Sequence, residues 1–176
     1  MLLKKAILIP LTLCLAPFTQ ALSKDADLAI THTKELTASF QAVDTAFNNW
    51  GGNFIALLKP VNSLRNLHTA YTTATADANK APQYTKEESG LIVKSMETVA
   101  SSGDKANESL LKKLQWVRVA KLGFIADALL EVFKKEIMRY LDAMAPKLDS
   151  DYAADIQKFK SAADSSFQKI SDGLSG

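Results

Sequence analysis

Apolar residues return at alternating steps of three and four through almost the whole chain, and that spacing leaves little room for anything but packed helices. Leu36, Phe40, Val43, Phe47 and Trp50 follow one another at steps of 4, 3, 4 and 3, which sets them along one stripe of a helix with about 3.6 residues per turn. Gly51 and Gly52 then interrupt the pattern. Glycine takes the left-handed conformation that ends a helix without steric penalty, so at least one of the two is expected to have positive φ. Phe54, Leu57, Val61, Leu64, His68 and Tyr71 resume the rhythm. Pro60 falls inside this second segment, so either a short turn precedes the main helix or the helix kinks there. Ala81-Pro82 closes it.

Thr85-Lys86-Glu87-Glu88 reads as a capping box opening a third helix. Its seam runs Ile92, Met96, Val99, Ala106, Leu110, Leu114 and Val117. Ser101-Ser102-Gly103 weakens the middle, but the register survives, which favours one long helix. Gly123 marks a break. Ala126, Leu129, Phe133, Ile137, Tyr140 and Met144 form a fourth seam, ending before Pro146. Ser150 is expected to cap a fifth helix, whose seam is Tyr152, Ile156, Phe159, Ala163, Phe167, Ile170 and Leu174. No segment alternates with period two, and no hairpin signal separates two strand-like runs. The expectation is an all-α fold: a single antiparallel bundle of about five amphipathic helices near residues 25–49, 54–77, 86–121, 124–144 and 151–170.

The first 21 residues read differently. Lys4 and Lys5 precede an apolar run from Ala6 to Ala16, and Thr19-Gln20-Ala21 offers small residues at the positions a signal peptidase reads. The run is well short of the ~20 residues needed to span a membrane. The chain therefore divides into a secretory signal, 1–21, and one helical domain, 22–176, expected to be secreted and extracellular with no transmembrane span. Cys14 is the only cysteine and lies in the signal; Leu13 before it is too bulky for a lipoprotein signal. Without disulfides the domain must be held by packing, which a chain of about 150 residues can achieve in one core. Losing Lys4 and Lys5 leaves 19 basic against 19 acidic residues. That overall balance gives no electrostatic reason to bind nucleic acid or an anionic membrane.

Catalytic chemistry finds little to work with. The domain has no thiol, no Gly-rich phosphate loop and no nucleophile-elbow serine; its two histidines are not in Glu-x-x-His pairs. His32 and Glu35, three apart, could form one side of a metal site, but read more simply as an exposed pair near a helix start. His68 stands at a seam position and reads as a partly buried, hydrogen-bonded side chain. No enzyme, cofactor or metal site is expected. Candidate apolar lining for a bound acyl chain comes from seam positions on different helices: Phe40, Leu57, Leu64, Leu114, Phe133 and Phe159. Asn107-Glu108-Ser109 is the one N-glycosylation sequon, with Asn107 expected on the solvent face of its helix.

The run Val43-Asp44-Thr45-Ala46-Phe47-Asn48-Asn49-Trp50-Gly51-Gly52, with Ala56-Leu57-Leu58 and Leu64 after it, resembles the opening of the fungal hydrophobic surface-binding protein A family, which includes cell wall galactomannoproteins. The Thr85–Glu88 box, the Leu110 to Leu114 stretch with its paired lysines, the Gly123 break, Pro146, Asp155-Ile156 and Phe167 continue the likeness, which covers roughly residues 29–170. The resemblance implies a protein that adsorbs to hydrophobic solids and recruits a polyester-degrading esterase such as cutinase, or one that holds fatty acids in an apolar tunnel of a five-helix bundle. The Ser171-Asp172-Gly173-Leu174-Ser175-Gly176 ending is not a Ser/Thr-rich stalk, which favours a freely secreted form over a wall-anchored one. A structural cell wall mannoprotein, an apolipoprotein-like lipid carrier and a helical inhibitor of a secreted enzyme are the competing readings; the absence of disulfides counts against the inhibitor.

Overall fold

The computed structural model describes residues 21–53, 55–119 and 121–175; residues 1–20 of the signal segment, Phe54, Ala120 and Gly176 lie outside them. Among the described residues there is no strand. Five long or medium helices and one short one account for the chain: α1 Lys24–Asn48, α2 Leu58–Lys80, α3 Lys86–Leu111, α4 Leu114–Val119, α5 Gly123–Met144 and α6 Ala153–Ser175. Single 3-10 turns, Ile55–Leu57 and Ser150–Tyr152, lead into α2 and α6.

Each boundary has a local cause. Ser23 caps α1, its hydroxyl accepting from the Ala26 amide, and Asp25 and Asp27 sit favourably in the first turn. The Ile55–Leu57 turn resolves the Pro60 alternatives: Pro60 falls in the first turn of α2, where its missing N–H leaves no helical bond unmade. The capping box forms in full, with the Glu88 amide on the Thr85 hydroxyl and the Glu88 carboxylate on the Thr85 amide. Helix α3 runs unbroken through Gly103, as the surviving register implied, but not to residue 121. It ends at Leu111, and Lys112-Lys113 turn the chain into α4. Gly123 does not make the next break; it begins α5, and the left-handed residue at the joint is Lys121, φ 56°. Ser150 is not the cap expected of it either. The Asp149 side chain accepts from the Asp151 amide and opens the turn before α6.

The five longer helices close into a ring. Helix α1 packs on α3 and α2, α2 on α5, α5 on α6, and α6 back on α3. Short links make consecutive helices alternate in direction, but the ring brings helices of like direction side by side. The Ser23 amide at the start of α1 donates to Glu88 in the first turn of α3, so α1 and α3 run parallel. Lys147, just past α5, donates to the Ala81 carbonyl that ends α2, so α2 and α5 are parallel too. Leu36, Ile92, Met144, Ile156 and Ile170 are fully buried inside the ring. A ring of five cannot close over its axis as tightly as four helices can. Space remains wherever the seams carry small side chains such as Gly103, Ala126 and Ala163.

Candidate functional site

Two apolar cavities lie one above the other on the ring axis. The inner one, about 90 Å³, is lined by Phe40 of α1, Tyr71 of α2, Met96 and Gly103 of α3, Ile137 of α5 and Phe159 of α6, with the exposed Asp104–Ser166 hydrogen bond at its edge. The end cavity, about 110 Å³, sits below the Trp50 joint among Leu57, Leu64, Leu114, Leu130, Phe133 and Leu174. Every side chain that lines it is apolar. One helical turn separates the two. On α5 Ile137 faces the inner cavity and Phe133 the end one; on α6 the corresponding pair is Phe167 and Ile170. Along α5 the lining extends from Leu141 to Ala126, about 22 Å at 1.5 Å per residue. One acyl chain spans about half of a bilayer's ~30 Å hydrocarbon core, so the stacked cavities are long enough to hold one.

The seam residues singled out in the sequence separate into two sets. Phe40 and Phe159 line the inner cavity; Leu57, Leu64, Leu114 and Phe133 line the end cavity. Phe40 meets Tyr71 edge-on at 6.1 Å, and Tyr71 meets Tyr140 at 5.8 Å. Sequence reasoning passed over Ala100, Ala162, Leu122 and Leu130, which also line the cavities. Their signal was weak: alanines beside the seam make space rather than contact, and the leucines lie off the stripe. Asn107 is half-buried at the inner cavity rather than on an open face, because α6 packs beside α3 there. Its neighbour Ser109 is buried and bonded to Asp44.

Polar groups are few and specific. Burial raises both Tyr71 and Tyr140 far above an ordinary phenol, with Tyr140 adding to the shift of Tyr71 and Tyr84 to that of Tyr140. Among the described residues the Tyr140 hydroxyl has no hydrogen-bond partner, and the same is true of His68 Nδ1 and Thr75 Oγ1. His68 is thus half-buried as read from its seam position, but it packs edge-on against Phe133 at 6.4 Å instead of bonding through Nδ1. His32 overturns the exposed-pair reading. It is 8% exposed, because α2 closes over it, and its two ring nitrogens lie 3.1 Å from Glu35 and 3.1 Å from Asp77. The contact clamps α1 to α2. A bond from Lys80, then one from His32, holds the Asp77 carboxyl below its usual range. Among the described residues no group of three or more His, Cys, Asp or Glu is placed to hold a metal ion, and no helix is long and apolar enough to cross a membrane.

Comparison with known proteins sharpens this picture. No curated protein matches the sequence. Among solved structures, AFMP4P in complex with palmitic acid superposes with a TM-score of 0.81 at 14% identity, covering 85% of this chain and 99% of that one. Ligand binding domain 1 of Penicillium marneffei MP1, complexed with arachidonic acids, gives 0.80 at 12% identity over 86% and 99% of the two chains. Domain 2 of the same protein, complexed with multiple arachidonic acids, gives 0.79 at 12% identity over 89% and 99%. At such identities the likeness is one of fold, and it extends over nearly all of each neighbour. The family model for hydrophobic surface binding protein A matches residues 26–146, from the start of α1 to just past the end of α5. The chain belongs to the hydrophobic surface binding protein A family.

Proposed function

We propose that this protein is a non-catalytic carrier of single acyl chains, fatty acids above all, held along the axis of the helical ring. The observation that carries the reading is the end cavity, walled by apolar side chains alone and stacked on a second apolar cavity over a distance that matches an acyl chain. The neighbours of like fold complexed with palmitic and arachidonic acids support it. Phe40, Leu57, Leu64, Leu114, Phe133 and Phe159 are the proposed contacts. The polar partner for the acid head is the hydroxyl of Tyr140, which lines the inner cavity and otherwise goes unbonded. Burial of apolar surface drives such binding at ~25 cal/mol per Å². Affinity should therefore tighten with chain length by up to ~0.8 kcal/mol per methylene until the cavities are full, and should depend little on salt.

Secretion through the 1–21 signal, with action outside the cell, belongs to the same proposal, as does adsorption to hydrophobic solids followed by recruitment of an esterase such as cutinase. Isothermal titration of delipidated protein with saturated acids from C8 to C18 tests the carrier reading. A steady gain with length up to a plateau supports it. Affinity that ignores length, or collapses in moderate salt, overturns it. Co-adsorption of cutinase with the protein on polyester film tests recruitment: equal cutinase uptake with and without the protein would count against it.

A further inference from the structure

At the Trp50 end of the ring, overall neutrality conceals an excess of basic residues. No Asp or Glu occurs between Asp44 and Asp77 or between Glu108 and Asp127, while these stretches carry Lys59, Arg65, Lys112, Lys113, Arg118 and Lys121. The fold brings them to the same end. Lys113 Nζ donates to the Trp50 carbonyl at 2.8 Å, and Trp116 lies so close over Gly52 that a Cβ there would be 2.7 Å from the indole ring. Lys59, Arg65, Lys112, Arg118 and Lys121 are all exposed, and among the described residues none of the five forms an ion pair.

Helix electrostatics do not account for all of them. Cations suit the C-terminus of α3, where Lys112 stands, but Lys59 is in the first turn of α2 and Lys121 precedes α5. At those positions the positive end of the helix dipole works against a cation. The same end exposes apolar side chains that an isolated soluble domain has no use for: Ile55 at 76%, Leu58 at 62%, Val119 at 78% and Trp116 at 40% exposure. Against these cations the same end carries two exposed acids, Glu108 in the last turn of α3 and Asp172 near the end of α6, while Asp127 and Glu131 of α5 line a separate flank groove beside Lys134.

We infer that this end is a docking surface for an anionic lipid bilayer. Ile55, Leu58, Trp116 and Val119 enter the interface, while Lys59, Arg118 and Lys121 meet the headgroup phosphates. The complementarity of charge selects the occupant. A neutral wax or plastic offers nothing to five unpaired cations, whereas exposed apolar side chains within a basic collar suit an anionic membrane. Docked in this way, the end cavity opens toward the membrane, because Val61 lines it and is itself exposed between Leu58 and Leu64.

Vesicle flotation of the purified protein tests the inference, using phosphatidylcholine alone or mixed with phosphatidylglycerol, at salt below and well above ~0.1 M. Binding should be at least about tenfold tighter on the mixed vesicles at low salt and fall most of the way to the neutral-vesicle level at high salt. Lys59→Gln/Arg118→Gln/Lys121→Gln should lose that preference while keeping its helix content and its affinity for free fatty acid, since none of the three lines either of the two stacked cavities. Trp50 is 2% exposed, so quenching of fluorescence by brominated lipid reports Trp116, and it should be strong on mixed vesicles. Equal partition onto both vesicle types, indifference to the three substitutions, or binding without Trp116 quenching overturns the inference. Loss of fatty-acid binding in an intact, folded protein would instead strike the carrier reading and leave this one standing.

Discussion

The carboxylate of Glu88 joins two helix beginnings that are 62 residues apart: it accepts the Ser23 amide at 2.7 Å and the Thr85 amide at 3.0 Å. Two positive helix ends, α1 and α3, thus share one negative charge. Glu88 is 9% exposed, and bonds from Ser23 first, then from the Thr85 amide, bring its carboxyl down to about 2. A carboxyl depressed in the folded state stabilises above its unfolded value of 4.5 and loses that contribution as pH falls toward 2. Glu88→Gln should therefore cost about 2–3 kcal/mol at pH 7 and much less near pH 2. Urea unfolding of both proteins across that range measures it. A gap that stays constant with pH would show that the carboxylate charge is not what joins the helices.

Gly52 has φ 83°, whereas an added Cβ at Gly51 meets nothing within 4 Å. Gly52→Ala meets both backbone strain and the Trp116 ring, and should cost about 2 kcal/mol with a change in Trp116 emission. Gly51→Ala should be near neutral. Thermal unfolding of the two variants, followed by fluorescence, separates them, and equal effects would place the helix stop elsewhere.

Ala163 stands half-buried at the inner cavity. Ala163→Phe should fill that cavity and leave the end cavity open. Because the proposed partner of the acid head, Tyr140, lines that same cavity, acids of every length should bind more weakly, and the gain on lengthening from C8 toward C16 should shrink by several methylenes' worth at ~0.8 kcal/mol each. Calorimetric titration across the series decides this, and an unchanged length dependence would mean that the chain never reaches the inner cavity.

Tyr140→Phe removes a buried hydroxyl that has no hydrogen-bond partner among the described residues. The ligand-free protein should be unchanged or about 1 kcal/mol more stable, since an unsatisfied polar group is lost. Affinity for a fatty acid should fall relative to that for a hydrocarbon of equal length. Differential scanning calorimetry and competition binding test the two halves. Equal loss for acid and hydrocarbon would remove Tyr140 as the partner of the acid head.

What the sequence determined by itself was the set of local elements and their buried stripes. The 4-3 spacing of Leu36 to Trp50, the Thr85–Glu88 box and the Gly51-Gly52 stop act within one or two helical turns, so their physics can be read without neighbours. The same stripes supplied the six cavity-lining candidates. The stop at Leu111 was not legible, because Leu114 and Val117 keep the register across Lys112-Lys113. Only the tertiary structure decided which helices became neighbours. Its closed ring set α3 beside both α1 and α6, left one cavity beside Gly103 and Ala163 and another beside Ala126, and half-buried Asn107. It also folded His32 under α2 and gathered the cations of 59 to 121 at one end. A stripe states that a face must be buried; which face meets it, and what space is left between them, depends on packing partners far away in the chain.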